Sequence, residues 1–187
     1  MWTVIAALVA LGPGAHRSAV QPAPQAPAPA LLSPEQLRKT VETYLGSIDT
    51  PIPAARWQAL GPAAGPVLEQ VLDDPKAFPS RRAKALDGLV WAAPERAAPR
   101  VTRLAQSEDE PIVVRVAALH GAVLLQPARQ LVATLRPVLE SAREPGMRAA
   151  AAELLARHGR SAGCQAVRAQ AGREATGAFD RALERCE

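Results

Sequence analysis

The residues that could do chemistry in this 187-residue chain are few and scattered. Its histidines are His16, His120 and His158. Neither His120 nor His158 has a Cys, Asp or His three or four residues further on, the spacing that puts two metal ligands on one face of a helix, so no metal site is expected. No G-x-S-x-G, phosphate-cradling glycine-rich loop or H-E-x-x-H occurs. The carboxylate runs Asp73-Asp74 and Glu108-Asp109-Glu110 come nearest to an acid–base pair. Both sit where the chain is expected to turn, and side-chain oxygens there accept from the free N–H groups of helix starts, so capping is their expected role. No residue is assigned a catalytic, metal or cofactor role.

Arginine is the other candidate. The chain carries 22 cations against 18 anions, a net charge of +4. The signs alternate instead of clustering as a nucleic-acid face requires, so no nucleic-acid partner is expected. Arg96 is carried to Arg129 by a shift of 33, and the same shift carries Arg103 to Arg136. With Arg100 they would line one face of successive helices and could hold an acidic ligand. A competing register exists, because Val101 and Leu104 match Leu135 and Val138 at a shift of 34, which puts Gln130 and Pro137 in the arginines' places. A basic recognition face and a solvated polar face both remain open. Trp57 and Trp91 are expected to pack in the core.

The elements that must position these residues are helices. Aromatics make up only 3% of the chain, while alanine, leucine and valine abound, which favours helix over strand. Residues 2–11 form a run that is apolar except for Thr3, followed by Gly12-Pro13-Gly14-Ala15. This pattern resembles a secretory leader, although no Lys or Arg precedes it, and it is too short to span a bilayer. Residues 1–15 are therefore expected to be a signal peptide. Residues 16–32 are expected to be a spacer, because alternating Pro and Ala at 21–30 favours extended structure. Residues 33–187 are the expected folded domain, opened by Ser33-Pro34-Glu35-Gln36 as an N-cap, a first-turn proline and a capping box. In an exported chain the pair Cys164 and Cys186 reads as a disulfide, two free thiols being the alternative.

Internal repetition organises that domain. Arg82, Arg115 and Arg148 recur at a constant shift of 33, which also carries Ala85 to Ala118 to Ala151. Pro79, Pro111 and Pro145 stand three or four residues before each arginine. Pro66 and Pro99, again 33 apart, are expected to open second helices. The unit is a helical hairpin that cannot bury its own apolar stripe, whereas stacked copies share a continuous core.

Residues 57–74, together with the Pro-x-x-Arg starts at Pro79 and Pro145, resemble a short bacterial HEAT repeat of the PBS-lyase type. Trp57-Gln58-Ala59-Leu60-Gly61 also matches a tetratricopeptide opening, but Ala64 replaces that motif's tyrosine and Pro62 would break its helix. The HEAT resemblance spans residues 51–172. It implies an all-α solenoid of about four hairpins with capping helices at both ends. It also implies that Arg82, Arg115 and Arg148 form a structural ladder, each bonding an acidic turn residue of a neighbouring unit, and that the second helices line the concave face.

Departures from the pattern carry expectations of their own. Pro51-Ile52-Pro53 should shorten the first helix, and Pro137 should kink or break a second helix near Arg136. The last second helix, at 161–171, is sparsely apolar. A closing helix at 176–185, anchored by Phe179 and Leu183, would be pinned by a Cys164–Cys186 bridge. The expected function is a non-catalytic protein-binding scaffold or adaptor of the cell envelope, periplasmic or secreted. Its partner would be a protein held on the concave face, with an acidic ligand as a further candidate and no stable membrane span. If the leader is not an export signal, the alternative is a HEAT-like enzyme or nucleic-acid-binding protein. A spacer-tethered accessory of a membrane complex is a third reading.

Overall fold

A computed structural model describes residues 32–47, 50–173 and 177–187. The expected leader, His16 and nearly all of the expected spacer lie outside the described residues. Of the described residues 79% are helical, with no strand among them. The elements are α1 (Pro34–Gly46), α2 (Ala54–Leu60), a 3-10 turn (Pro62–Ala64), α3 (Gly65–Asp73), α4 (Pro79–Ala92) and α5 (Pro94–Gln106). They continue with α6 (Ile112–Leu125), α7 (Ala128–Ser141), α8 (Pro145–His158), α9 (Arg160–Ala169) and α10 (Gly177–Glu184).

Each start follows from local chemistry. At α1 the Ser33 hydroxyl accepts from the Gln36 N–H, and the Gln36 side chain accepts from the Ser33 N–H, closing the capping box. Helices α3, α4, α5 and α8 begin with proline in the first two positions, where its missing N–H costs nothing. Helix α2 is only 7 residues long, hemmed in by Pro51 and Pro53 before it and Gly61 after it. Gly61 takes φ 62°, a left-handed conformation that a side chain disfavours.

The helices pack in two sets. Helix α4 packs on α6 and α6 on α8, while α5 packs on α7 and α7 on α9. Between the sets α3 packs on α4, α5 on α6, and α7 on α8. One apolar core runs through all of them, with Leu68, Leu89, Leu104, Leu119, Leu135 and Leu155 fully buried. Two glycines allow close approach. A Cβ on Gly88 would stand 3.0 Å from the Trp57 ring, and one on Gly121 would stand 2.9 Å from Val101 Cγ1. Trp57 is buried edge-on against Tyr44, their ring centres 5.1 Å apart. At the C-terminal end Phe179 and Ala182 bury α10 against α8 and α9. A disulfide joins Cys164 on α9 to Cys186, with the Cα atoms 5.3 Å apart.

Two expectations about proline are corrected, the break at Pro137 and the helix start at Pro99. Helix α7 runs unbroken through Pro137. The carbonyl that loses its donor there is that of Ala133, and both residues lie on the exposed side, where water can take the bond. Helix α5 opens at Pro94, not Pro99, which sits inside it, again on the exposed side.

The repeat register is also resolved, and it differs between the two sets. First helices α4, α6 and α8 begin at a constant interval of 33, with Pro79, Ile112 and Pro145. Second helices α5 and α7 follow the 34-residue register, their buried positions being Ala97, Val101, Leu104 and Ala105 in one and Leu131, Leu135, Val138 and Leu139 in the other. The extra residue lies in the α6–α7 connection, Gln126-Pro127, against Ala93 alone between α4 and α5.

Candidate functional site

The register decides where the arginines stand. In the 34-residue frame Arg96 is matched by Gln130 and Arg103 by Pro137, so Arg129 and Arg136 are not their structural equivalents. Nor is the stripe uniformly basic. Glu69 on α3 meets Arg96, and Arg100 pairs with Asp73 at 2.6 Å and with Glu69 at 3.3 Å. The Asp73 hydrogen bond is the main influence raising the pKa of the Arg100 guanidinium above its ordinary value. Arg136 pairs with Glu140 one turn along α7 at 3.6 Å. Arg103 and Arg129 are exposed and have no ion-pair partner among the described residues. The second-helix face is thus charge-matched toward α3 and carries excess cation from Arg103 onward.

The three arginines at 33-residue spacing occupy a different place, where each first helix meets the end of the preceding second helix. Arg82 Nε donates to the Leu72 carbonyl at 2.8 Å, and its Nη2 lies 2.8 Å from Glu110. Arg115 is fully buried. Its Nε faces the Ala105 carbonyl at 3.5 Å, Nη2 donates to Glu108 at 2.5 Å and Nη1 to Glu144 at 2.8 Å. Arg148 donates to the Ala142 carbonyl at 2.5 Å and the Arg143 carbonyl at 3.1 Å. The first two donate to a carbonyl ten residues back, the third to one six residues back. The loop before α8 is shorter than those before α4 and α6, which brings the end of α7 closer in sequence.

The carboxylates at these turns therefore act otherwise than expected. The residues preceding α4 and α6, Phe78 and Pro111, make no side-chain cap. Glu108 and Glu110 are instead counterions of Arg115 and Arg82, Asp73 is that of Arg100, and Asp74 accepts from the Lys76 N–H at 2.9 Å. Desolvation pushes the Glu108 carboxyl up, but the Arg115 hydrogen bond, the Arg143 N–H and both cations together hold it below its usual value. The other shifted carboxyl, Asp87 on α4, is pushed up to about 6 by desolvation, with Lys84 pulling it the other way.

Sequence reading missed a polar tie between the second helices. The Thr102 and Thr134 hydroxyls are 3.1 Å apart, linking α5 to α7. Gln126, at the end of α6, donates to the Thr102 hydroxyl at 3.0 Å, and Gln106 donates to the Thr134 carbonyl at 3.0 Å. The buried Gln126 Oε1 has no partner among the described residues. These uncharged polar residues carry no recurring pattern in the sequence.

Among the described residues no group of three or more His, Cys, Asp or Glu is placed to hold a metal ion. His120 and His158 are both exposed, on α6 and α8. Trp91 is half-buried beside the core. No described helix is long and apolar enough to cross a membrane. No protein-family model, curated protein or solved structure matches this chain.

Proposed function

We propose that the chain is a non-catalytic protein-binding scaffold of the cell envelope, exported to the periplasm or outside the cell, that recognises its partner on the second-helix face. In this reading the fold is an α-solenoid of four HEAT-like hairpins, α2/α3, α4/α5, α6/α7 and α8/α9, with α1 and α10 as caps. Like hairpins stacked in this way leave one side of every second helix free, a broad and largely preformed surface on which a few residues dominate binding. The observation that carries the reading is the two-set packing, first helices on first helices and second on second. The exposed cations Arg103, Arg129 and Arg136 on α5 and α7 add charge to that face. The disulfide suits an oxidising compartment.

The test is capture from the envelope fraction of the native organism with three baits. The wild-type chain and Phe78→Ser, altered at an exposed residue before a first helix, are expected to retain the same partner. The Arg103→Glu/Arg136→Glu variant is expected to lose it. Identical recovery on all three baits would remove the second-helix face from the proposal. Export predicts a mature chain lacking residues 1–15 by intact mass, and an uncleaved cytoplasmic chain would overturn that part.

A further inference from the structure

Several arginines on this molecule are held by carboxylates. Arg81, Arg82, Arg96, Arg100 and Arg115 each have a carboxylate partner. Like Arg56 and Arg103, Arg129 and Arg160 make no hydrogen bond or ion pair with any described residue. Both nevertheless line one cleft of about 300 Å³, with Arg129 and Val132 on the α7 side and Arg160, Ser161 and Ala162 where α8 turns into α9. No described carboxylate lines that cleft.

The turn that brings Arg160 there is tightly determined. Only Gly159 separates α8 from α9, and a Cβ on it would lie 2.6 Å from Gly163 Cα. The chain reverses by placing Arg160 at φ 54°, in the left-handed region. Glycine or asparagine adopts that conformation at less cost. The fold therefore does not call for arginine here, and its guanidinium makes no contact that stabilises the turn.

Two uncompensated guanidiniums on one cleft repel each other and raise a positive potential, which an anion would relieve. Guanidinium forks suit carboxylates in particular, through paired charge-assisted hydrogen bonds. The remaining lining is largely apolar, and a free inorganic anion gains nothing from Val132 or Ala162. The volume sits at the low end of ligand cavities, room for one or two side chains.

We propose that the α7/α9 cleft is an acidic-peptide site, in which a Glu or Asp carboxylate of a protein partner lies between Arg129 and Arg160 while a neighbouring aliphatic side chain packs on Val132. This inference rests on the binding-scaffold reading and gives its partner a chemistry.

The experiment is fluorescence anisotropy of the full chain with a labelled Glu-Leu-Glu-Leu-Glu-Leu peptide and its Gln-for-Glu counterpart. The acidic peptide is expected to bind at least about tenfold more tightly than the neutral one, and to lose at least about tenfold with Arg129→Gln/Arg160→Asn. Asparagine keeps the left-handed turn available, and unchanged circular dichroism and Tm confirm that the variant is folded. Inorganic phosphate is expected not to displace the peptide at matched charge concentration. Three results would overturn the proposal: no acidic-peptide binding up to about 1 mM, equal affinity in the double variant, or displacement by phosphate, which gives the cleft to free anions. If the cleft variants keep the captured partner while Arg103→Glu/Arg136→Glu loses it, the inference fails and the scaffold reading stands. If the peptide binds through both arginines but no bait captures a partner, the cleft stands and the scaffold reading fails.

Discussion

Between α5 and α7 the core holds five buried leucines and one buried cation, whereas from α8 onward it holds one buried leucine and is closed by a covalent link. Leu104, Leu119, Leu131, Leu135 and Leu139 are all buried in the middle, and the buried Arg115 has two carboxylates and a carbonyl around it. The corresponding layer at the end offers Met147, Ala151, Ala152 and Leu155 on α8 and only Gly163, Ala166 and Val167 on α9. Phe179 from α10 fills the space that small residues leave, the disulfide holds α10 in place, and Arg168 donates to the Cys186 carbonyl. The middle gains its stability from burial and ion pairing inside the folded state. The end relies on a cross-link that restricts the unfolded chain, because its apolar area is small.

That contrast can be broken at either region. The largest effect is expected from Arg115→Met, which removes the buried counterion of the partly exposed Glu108 and Glu144 and should lower stability by about 3 kcal/mol, the lower end for a broken buried pair. Arg148→Met, at the half-buried equivalent, should cost less, and urea denaturation of the two variants gives the comparison. A smaller cost at Arg115 than at Arg148 would refute the view that the middle depends on its buried cation.

Breaking the disulfide by Cys164→Ser/Cys186→Ser should cost about 3 kcal/mol on a loop-entropy argument for its 22-residue separation. The loss should be local at first, with amides of α10 exchanging faster while those of α5–α7 keep their protection. Uniform loss of protection across all helices would show that the end is not a separate stability unit. Next in size is Gly121→Ala, whose added methyl would press on Val101 and Val90. It should cost about 1–3 kcal/mol by overpacking, read as a fall in Tm.

The pH dependence carries the smallest effects, and its two limbs have opposite signs. Glu108 has a lowered carboxyl pKa in the folded state. Its contribution is present above the unfolded value and is lost as pH falls through the folded one, so Glu108→Gln should flatten the acid limb of a stability curve. Asp87 is held up to about 6, so the folded state takes up the extra proton and stability declines as pH rises from the ordinary value of 3.8 to about 6. Because Asp87 keeps contact with water, Asp87→Asn should raise stability at pH 7 by under about 1 kcal/mol. An Asn variant less stable than wild type at pH 7 would contradict this assignment.

Legibility in the sequence followed how local each signal is. Ser33 and Gln36 announce α1 because both halves of the capping box lie within one turn. The 33-residue recurrence of Arg82, Arg115 and Arg148 marks the first helices, whose starts share that spacing. Pro137 misleads because a proline is judged by the hydrogen bond it removes, and whether water replaces that bond depends on which side of α7 faces out. Glu108 and Glu110 read as caps from their place in the turn, whereas the recurring arginines pointed to turn carboxylates as their partners, and the structure pairs them.

What the sequence by itself determines is the helical nature of the chain, its hairpin period and the position of its cysteines, because propensity, proline placement and apolar spacing act over a few residues. What only the tertiary structure decides is which charges meet. One extra residue between α6 and α7 moves the second helices into a 34-residue register, and that shift separates Arg129 from the place of Arg96, while the fold sets it on a cleft that Arg160 also lines. Electrostatic partnership depends on distances of a few ångströms between residues remote in the chain, and a repeat pattern alone does not contain them.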